Sequence, residues 1–245
     1  MRTLNPAPGW ITQRPIAHRG FHDLAAGRPE NSLAAVVAAA ETGFAVECDL
    51  QVSATGEAVV FHDPGLERMT GTKGNVRDFS PHELAQLHLV DTDQVIDTLS
   101  THLDRINGRV PMVLELKGVE GADAGFVEAV ATALQNYPGL VCVMSFNHWI
   151  CAQFAQLMPD IPRGLTAENG DEVYQKHFDA MYAFDLQFVS YKVQHVDNRF
   201  VREMKQLGLP IITWTVKNQE SRSRTFKFAD QMTFEGFDPR DLPHG

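Results

Sequence analysis

Two short apolar segments carry acids that can do chemistry. In Phe44-Ala45-Val46-Glu47-Cys48-Asp49 two carboxylates interrupt an apolar run, and Met112-Val113-Leu114-Glu115-Leu116-Lys117 ends in a third carboxylate and an ammonium. Side chains alternate along a strand. Ala45, Glu47 and Asp49 therefore share one face of the first segment, and Val113, Glu115 and Lys117 share one face of the second. A single acid at a strand end is most often a solvated loop residue. Three carboxylates converging from apolar strands repel one another, and burying them uncompensated is expensive. A divalent cation resolves the conflict, and hard oxygen ligands select Mg2+ or Ca2+. Glu47, Asp49 and Glu115 are thus expected to hold one such ion.

His18 and His62 each close an apolar run. One histidine so placed is commonly structural, but two near one metal site form an acid–base pair suited to neutral pH. Arg19 follows His18 and precedes Gly20. Its planar guanidinium suits bidentate phosphate binding, and Lys117 supplies a second cation. Metal, arginine, lysine and two histidines together point to phosphoryl transfer. The other histidines (His22, His82, His88, His102, His148, His177, His195 and His244) fall on expected helices or loops and are assigned no role.

Positioning these groups requires a scaffold whose strand ends converge. Short apolar runs alternate with longer amphipathic ones, the pattern of βα units and a parallel sheet. The first strand is expected at 15–18. Asn31 or Ser32 caps a helix over 33–42, Gly43 stops it, and the second strand follows at 44–50. Another apolar run, 57–62, comes only six residues later. A parallel crossover needs a dozen or more, so this run is an antiparallel return that turns at Thr55-Gly56 and ends on His62. Residues 63–98 read as a small rim insertion, with Ser80, Pro81 and Glu83 opening a short helix through Leu87. A helix over 99–107 leads back. Strands are then expected at 110–117, 140–146, 162–165, 186–190, 210–216 and 230–233, with helices between them, among them 122–136, 147–158 and 200–207. Without the hairpin the strands number eight, the count of a TIM barrel, whose reactive groups lie at strand C-termini.

The chain has 245 residues, 44% of them hydrophobic, enough for one large core. It is read as a single domain over 1–245. A formal net charge of -10 argues against nucleic acid as a partner, since phosphate backbones select basic patches. Cys48, Cys142 and Cys151 lie in apolar runs and are expected to be reduced thiols. Met1 to Gln13 has no apolar core of a signal peptide, and no stretch reaches the roughly 18 apolar residues of a spanning helix. The expected location is the cytoplasm, without stable membrane insertion. No oligomeric state follows from the sequence.

In order along the chain, His18-Arg19-Gly20, Pro29-Glu30-Asn31-Ser32, Glu47-Cys48-Asp49 and His62-Asp63 resemble the HRG, PENT, E-x-D and HD motifs of glycerophosphodiester phosphodiesterases. Gly71 to Val76 and Glu83-Leu84 resemble that family's insertion. Glu115-Leu116-Lys117, Ser145-Phe146 and Trp214-Thr215-Val216 resemble its E-x-K, SF and W-x-V. The resemblance implies a TIM (β/α)8 barrel with an insertion after the second strand. It implies Glu47, Asp49 and Glu115 as metal ligands, His18 and His62 as general acid and base, and Arg19 and Lys117 as phosphate ligands. It also implies release of sn-glycerol 3-phosphate and an alcohol from a small glycerophosphodiester. Phe146 and Trp214 are candidates to line the alcohol side. The chain departs from the family pattern at Ile96-Asp97-Thr98-Leu99, at Lys217 and at Thr233 to Pro239. Other readings are a lysophospholipase D or sphingomyelinase-D-like lipid phosphodiesterase, distinguished by turnover of lysophosphatidylcholine, and a non-catalytic glycerophosphodiester-binding protein, distinguished by binding without turnover.

Overall fold

The structure is a computed structural model and describes residues 4–123 and 125–241. In chain order the elements begin with β1 (Ile16–Ala17), α1 (Leu33–Thr42), β2 (Ala45–Val52), β3 (Ala58–Val60), α2 (Glu67–Thr70), α3 (Pro81–Leu84), α4 (Leu99–Ile106), β4 (Met112–Leu116) and α5 (Phe126–Leu134). They continue with β5 (Val141–Ser145), α6 (His148–Leu157), β6 (Arg163–Ala167), α7 (Tyr174–Ala183), β7 (Phe188–Lys192), α8 (Arg199–Gln206), β8 (Ile211–Val216), α9 (Gln219–Phe228) and β9 (Gln231–Phe234). The chain forms two compact units, one of residues up to His18 together with those from Val141 onward, the other of Arg19–Leu140.

In the Arg19–Leu140 unit, β2 pairs in parallel with β4, with Glu47 opposite Val113 and Asp49 opposite Glu115. On its other side β2 pairs with β3 in antiparallel register, Leu50 opposite Val60 and Val52 opposite Ala58. The short connection therefore does what its length demanded. Every residue of β2 is buried, so this strand has no solvent face on which its acids could rest. Ser32 caps α1, its hydroxyl accepting from the Ala35 amide, and Gly43 ends the helix at φ 80°. Capping side chains satisfy amides that the first turn leaves orphaned.

The segment 63–98 builds a small core of its own. Leu66, Met69, Val76, Leu84, Leu89 and Ile96 pack with Val59 and Phe61 of the hairpin. The helix opened by Ser80 has the expected capping box with Glu83 but stops at Leu84 rather than Leu87. Helix α5 starts at Phe126, later than the expected 122. Gly121 and Gly125 hold φ of 78° and 84°, and the Asp123 carboxylate accepts from the Val119 amide, so 118–123 is a structured loop.

In the other unit β1 pairs with β9, β9 with β8, β8 with β7, β7 with β6 and β6 with β5, all in parallel. Tyr191 and Val189 of β7 pack with Phe200 and Met204 of α8 and Met181 of α7, so this is the helix-covered face. Ser190 and Lys192, by alternation, belong to the opposite face. Cys48, Cys142 and Cys151 are free and buried.

Candidate active site

The acids of β2 and β4 meet within the Arg19–Leu140 unit. Glu47, Asp49 and Glu115 offer oxygens that all lie within 4.8 Å of one another. Their residues are 0, 1 and 8% exposed. Burial, followed by the charges of Asp49 and Glu115, pushes the Glu47 carboxyl well above the usual carboxylate range. Glu47 Oε2 accepts from the Arg19 amide at 2.8 Å, whereas Oε1 is buried with no hydrogen-bond partner. A buried orphan oxygen is costly, and here it stands among two further hard oxygen donors. The set fits a resident divalent cation: Glu47, Asp49 and Glu115 would hold it.

Two cations border these acids. Lys117 Nζ lies 2.6 Å from Glu115 Oε1 and 3.1 Å from Asp49 Oδ1. Burial opposes its charge, but Asp49 and Glu115 outweigh burial and hold the ammonium above its ordinary pKa. Arg19 Nε lies 3.2 Å from Asp49 Oδ2, and Nη1 donates to Glu30 Oε1 at 2.7 Å. The chain reaches this arrangement through left-handed backbone at Arg19 (φ 55°), Gly20 (φ 78°) and Asn31 (φ 59°). A Cβ on Gly20 would lie 2.7 Å from the Ala35 carbonyl carbon, so the turn is pressed onto α1 and only glycine fits. Asn31 then bridges to β2. Its Nδ2 donates to Asp49 Oδ2 at 2.9 Å, and its Oδ1 accepts from the Asp49 amide at 3.2 Å.

His62 follows the hairpin strand in this same unit. Its carbonyl accepts from Gln51 Nε2, and its Nδ1 pairs with Asp63 Oδ1 at 2.6 Å. Arg68 Nε donates to Asp63 Oδ2 at 2.5 Å. Burial would raise the Asp63 pKa, but the hydrogen bonds from Arg68 and His62 hold it below the usual carboxylate value.

His18 directly follows β1 in the other unit. Its Nδ1 lies 2.5 Å from Glu235 Oε2, just beyond β9. Lys217 Nζ pairs with Glu235 Oε1. Phe146 and Trp214 pack edge to face, centroids 5.5 Å apart. Trp214 Nε1 donates to the Ser190 carbonyl, which fixes the indole. Lys192 Nζ sits 5.7 Å over that ring and 2.6 Å from Glu168 Oε2. Phe146 is exposed.

The model of the glycerophosphoryl diester phosphodiesterase family matches residues 18–237, spanning most of the chain. The chain belongs to this family. It is therefore a member of an enzyme family, the phosphodiesterases that share this sequence pattern. The Bacillus subtilis protein YhdW is 29% identical over 219 residues, which cover 85% of this chain and 88% of that protein. A glycerophosphodiester phosphodiesterase of Caldanaerobacter subterraneus is 27% identical over 226 residues, 86% of this chain and 89% of that one. Among solved structures, an Oleispira antarctica phosphodiesterase in complex with the product sn-glycerol-3-phosphate superposes with a TM-score of 0.80 at 23% identity, covering 92% of this chain and 93% of that chain. The likeness shows the fold, a TIM (β/α)8 barrel. Among the described residues the eight strands β1, β2 and β4–β9 match the expected count, with β3 as the hairpin.

Of the residues singled out from sequence, Glu47, Asp49, Glu115, Lys117 and Arg19 stand in one cluster, and His62 stands in the same unit beside Asp63. His18, Phe146 and Trp214 belong to the other unit and are described there by their own partners. His244 lies outside the described residues. The partners Glu30, Asp63, Arg68 and Glu235 receive no role from sequence, and Asn31 only that of a candidate helix cap, which Ser32 fills. Glu30, Asn31 and Asp63 lie in the PENT-like and HD-like motifs, and Glu235 lies in the departure from the family pattern at Thr233 to Pro239. That departure is the one sequence signal for Glu235.

Proposed function

We propose that the protein is a metal-dependent phosphodiesterase that hydrolyses small glycerophosphodiesters to sn-glycerol 3-phosphate and an alcohol. The observation that carries this reading is the buried three-carboxylate cluster, with its unpartnered Glu47 Oε1, flanked by Arg19 and Lys117. Glu47, Asp49 and Glu115 hold one Mg2+ or Ca2+. Once bound, the cation supplies Lewis-acid stabilisation of phosphoryl charge. Arg19 and Lys117 bind non-bridging oxygens and offset the charge that develops on them.

His18 and His62 move the protons. One takes a proton from the nucleophile and the other gives one to the leaving alkoxide; water as nucleophile gives sn-glycerol 3-phosphate directly, whereas the glycerol 2-hydroxyl gives a cyclic phosphate that water then opens with the two histidine roles reversed. Each has its Nδ1 against a carboxylate, Glu235 for His18 and Asp63 for His62. That contact selects the tautomer and leaves Nε2 as the nitrogen available for proton transfer. Phe146 and Trp214 contact the alcohol. The product complex of the Oleispira antarctica relative supports sn-glycerol 3-phosphate as the retained half.

On this reading the chain is one domain, 1–245, with its rim insertion at 63–98, and the family match running from 18 to 237 supports that. The acidic balance supports a small-molecule partner rather than nucleic acid. No helix among the described residues is long and apolar enough to cross a membrane, and we assign the protein to the cytoplasm. The test is glycerol 3-phosphate release by His18→Ala and His62→Ala with glycerophosphocholine. Loss of a general acid or base costs about 10²–10⁴-fold. Both variants folding normally and keeping near-wild-type rates contradicts the assignment.

A further inference from the structure

We propose that Arg68, delivered by the rim insertion, is a positioning residue that ties the phosphate-binding Arg19 to the proton-transfer His62 through their two acidic partners. The inference rests on the functional reading above. Arg68 Nη2 donates to Glu30 Oε1 at 2.6 Å, and Nη1 to Glu30 Oε2 at 3.1 Å. Glu30 Oε1 also accepts from Arg19 Nη1 at 2.7 Å. From its third nitrogen, Nε, Arg68 donates to Asp63 Oδ2 at 2.5 Å, and Asp63 Oδ1 holds His62 Nδ1 at 2.6 Å. Arg19, Glu30, Arg68, Asp63 and His62 thus form an unbroken chain of charge-assisted contacts.

The guanidinium is the one side chain that can close this chain. Its donors lie in a rigid plane, so fixing it on Glu30 also fixes the direction of Nε toward Asp63; a lysine ammonium is a point charge without that plane. Glu30 shares its oxygens between the two guanidinium groups, and Asp63 gives one oxygen to Arg68 and the other to the His62 ring. Without Arg68 the whole of Glu30 would fall on Arg19, drawing the guanidinium away from a phosphate. Asp63 would lose the contact that sets its second oxygen, and with it the orientation of His62.

As a mere stabiliser Arg68 is poorly placed. Its side chain is 48% exposed, and exposed ion pairs contribute little. Its position is nevertheless well determined. It sits on α2 between Leu66 and Met69, both buried in the insertion's own core, and Gly71 closes that helix at φ 69°. The insertion's small core therefore serves to hold one arginine over two acids from distant parts of the chain.

The experiment is steady-state hydrolysis of glycerophosphocholine by the Mg2+- or Ca2+-loaded protein. Wild type is compared with E30Q, D63N, R68M, R68K, the double variant E30Q/D63N and the triple variant E30Q/D63N/R68M, with thermal unfolding recorded alongside. E30Q is expected to act mainly on KM, through Arg19, and D63N mainly on kcat, through His62. R68M should move both constants, lowering kcat/KM by about 10²-fold, the cost of misplacing reacting groups by roughly 1 Å. R68K should recover thermal stability and leave most of the activity loss. In the E30Q/D63N background R68M should cost almost nothing further. The proposal is overturned if R68M stays within about twofold of wild type in both constants, or costs the same factor in that background as in wild type. Should R68M fail to fold, E30Q and D63N both matching wild type overturns it equally. If wild type releases no glycerol 3-phosphate, the functional reading itself fails and the proposal falls with it.

Discussion

Replacing Lys117 by methionine keeps the length of the side chain and deletes its charge. The ammonium lies 2.6 Å from Glu115 Oε1 and 3.1 Å from Asp49 Oδ1. At an effective dielectric of about 20, unit charges at those separations attract by roughly 6 and 5 kcal/mol. Desolvating the ammonium takes back several kcal/mol. What matters on deletion is the pair of carboxylates left behind among buried neighbours, and breaking a buried pair from one side costs about 3–5 kcal/mol. We therefore expect Lys117→Met to lose about 3 kcal/mol in EDTA, which is a fall of about 1 M in the urea midpoint for a slope of about 3 kcal/mol/M. With saturating Mg2+ or Ca2+ the loss should shrink, because a bound dication takes over the compensation of the same oxygens. Urea unfolding at constant pH, with and without cation, measures both. A loss under about 1 kcal/mol in EDTA, or an equal loss in both conditions, refutes the account of Lys117 as the counterion of the cluster.

Glu47→Gln should stabilise the metal-free protein and weaken its response to cation, as seen in melting temperatures recorded in EDTA and in Mg2+. The raised carboxyl pKa means the folded form keeps a proton that the unfolded form has lost, so wild-type stability in EDTA should fall as pH rises above 4.5 through the folded value, and Glu47→Gln should flatten that fall. His177 is packed edge-on against Tyr191 and Phe200, and burial lowers its pKa from 6.5 to about 4. Its contribution is complete above pH 6.5 and lost as pH falls toward 4, on the order of 2 kcal/mol by pH 5. Urea midpoints at pH 7 and pH 5 should show a smaller acid loss in His177→Leu than in wild type, and equal losses would remove His177 as the cause. Gly20→Ala combines a left-handed φ with a Cβ 2.7 Å from the Ala35 backbone. It should cost about 3 kcal/mol and lower activity by shifting Arg19, and a variant with wild-type melting temperature would show that the turn has room.

The parts of the fold that were legible are those set by local rules. Alternation along β2 and β4 put Glu47, Asp49, Glu115 and Lys117 on shared faces, and the structure brings them together. Ser32 and Gly43 bounded α1 because capping is a property of single residues. The brevity of the link between β2 and β3 was enough to demand a hairpin. What stayed hidden depends on distant pairing. Nothing near His18 announces Glu235, which is 217 residues away, and nothing near Glu30 announces Arg68, 38 residues on. The late start of α5 was hidden for a different reason. The sequence pattern of 122–136 is helical, but a left-handed Gly125 before the helix and the Asp123 carboxylate, turned back onto the Val119 amide, delay its first turn to Phe126.

The central claim is that three buried carboxylates hold the cation on which phosphodiester hydrolysis depends. The direct measurement is glycerol 3-phosphate release from glycerophosphocholine after exhaustive EDTA treatment, followed by titration with Mg2+ and Ca2+ of wild type and of Glu115→Gln. The account predicts loss of turnover in EDTA, saturable recovery of wild type by at least one of the two ions, and a recovery curve for Glu115→Gln displaced to higher cation concentration. Undiminished turnover in EDTA, or identical recovery curves for the two proteins, contradicts it.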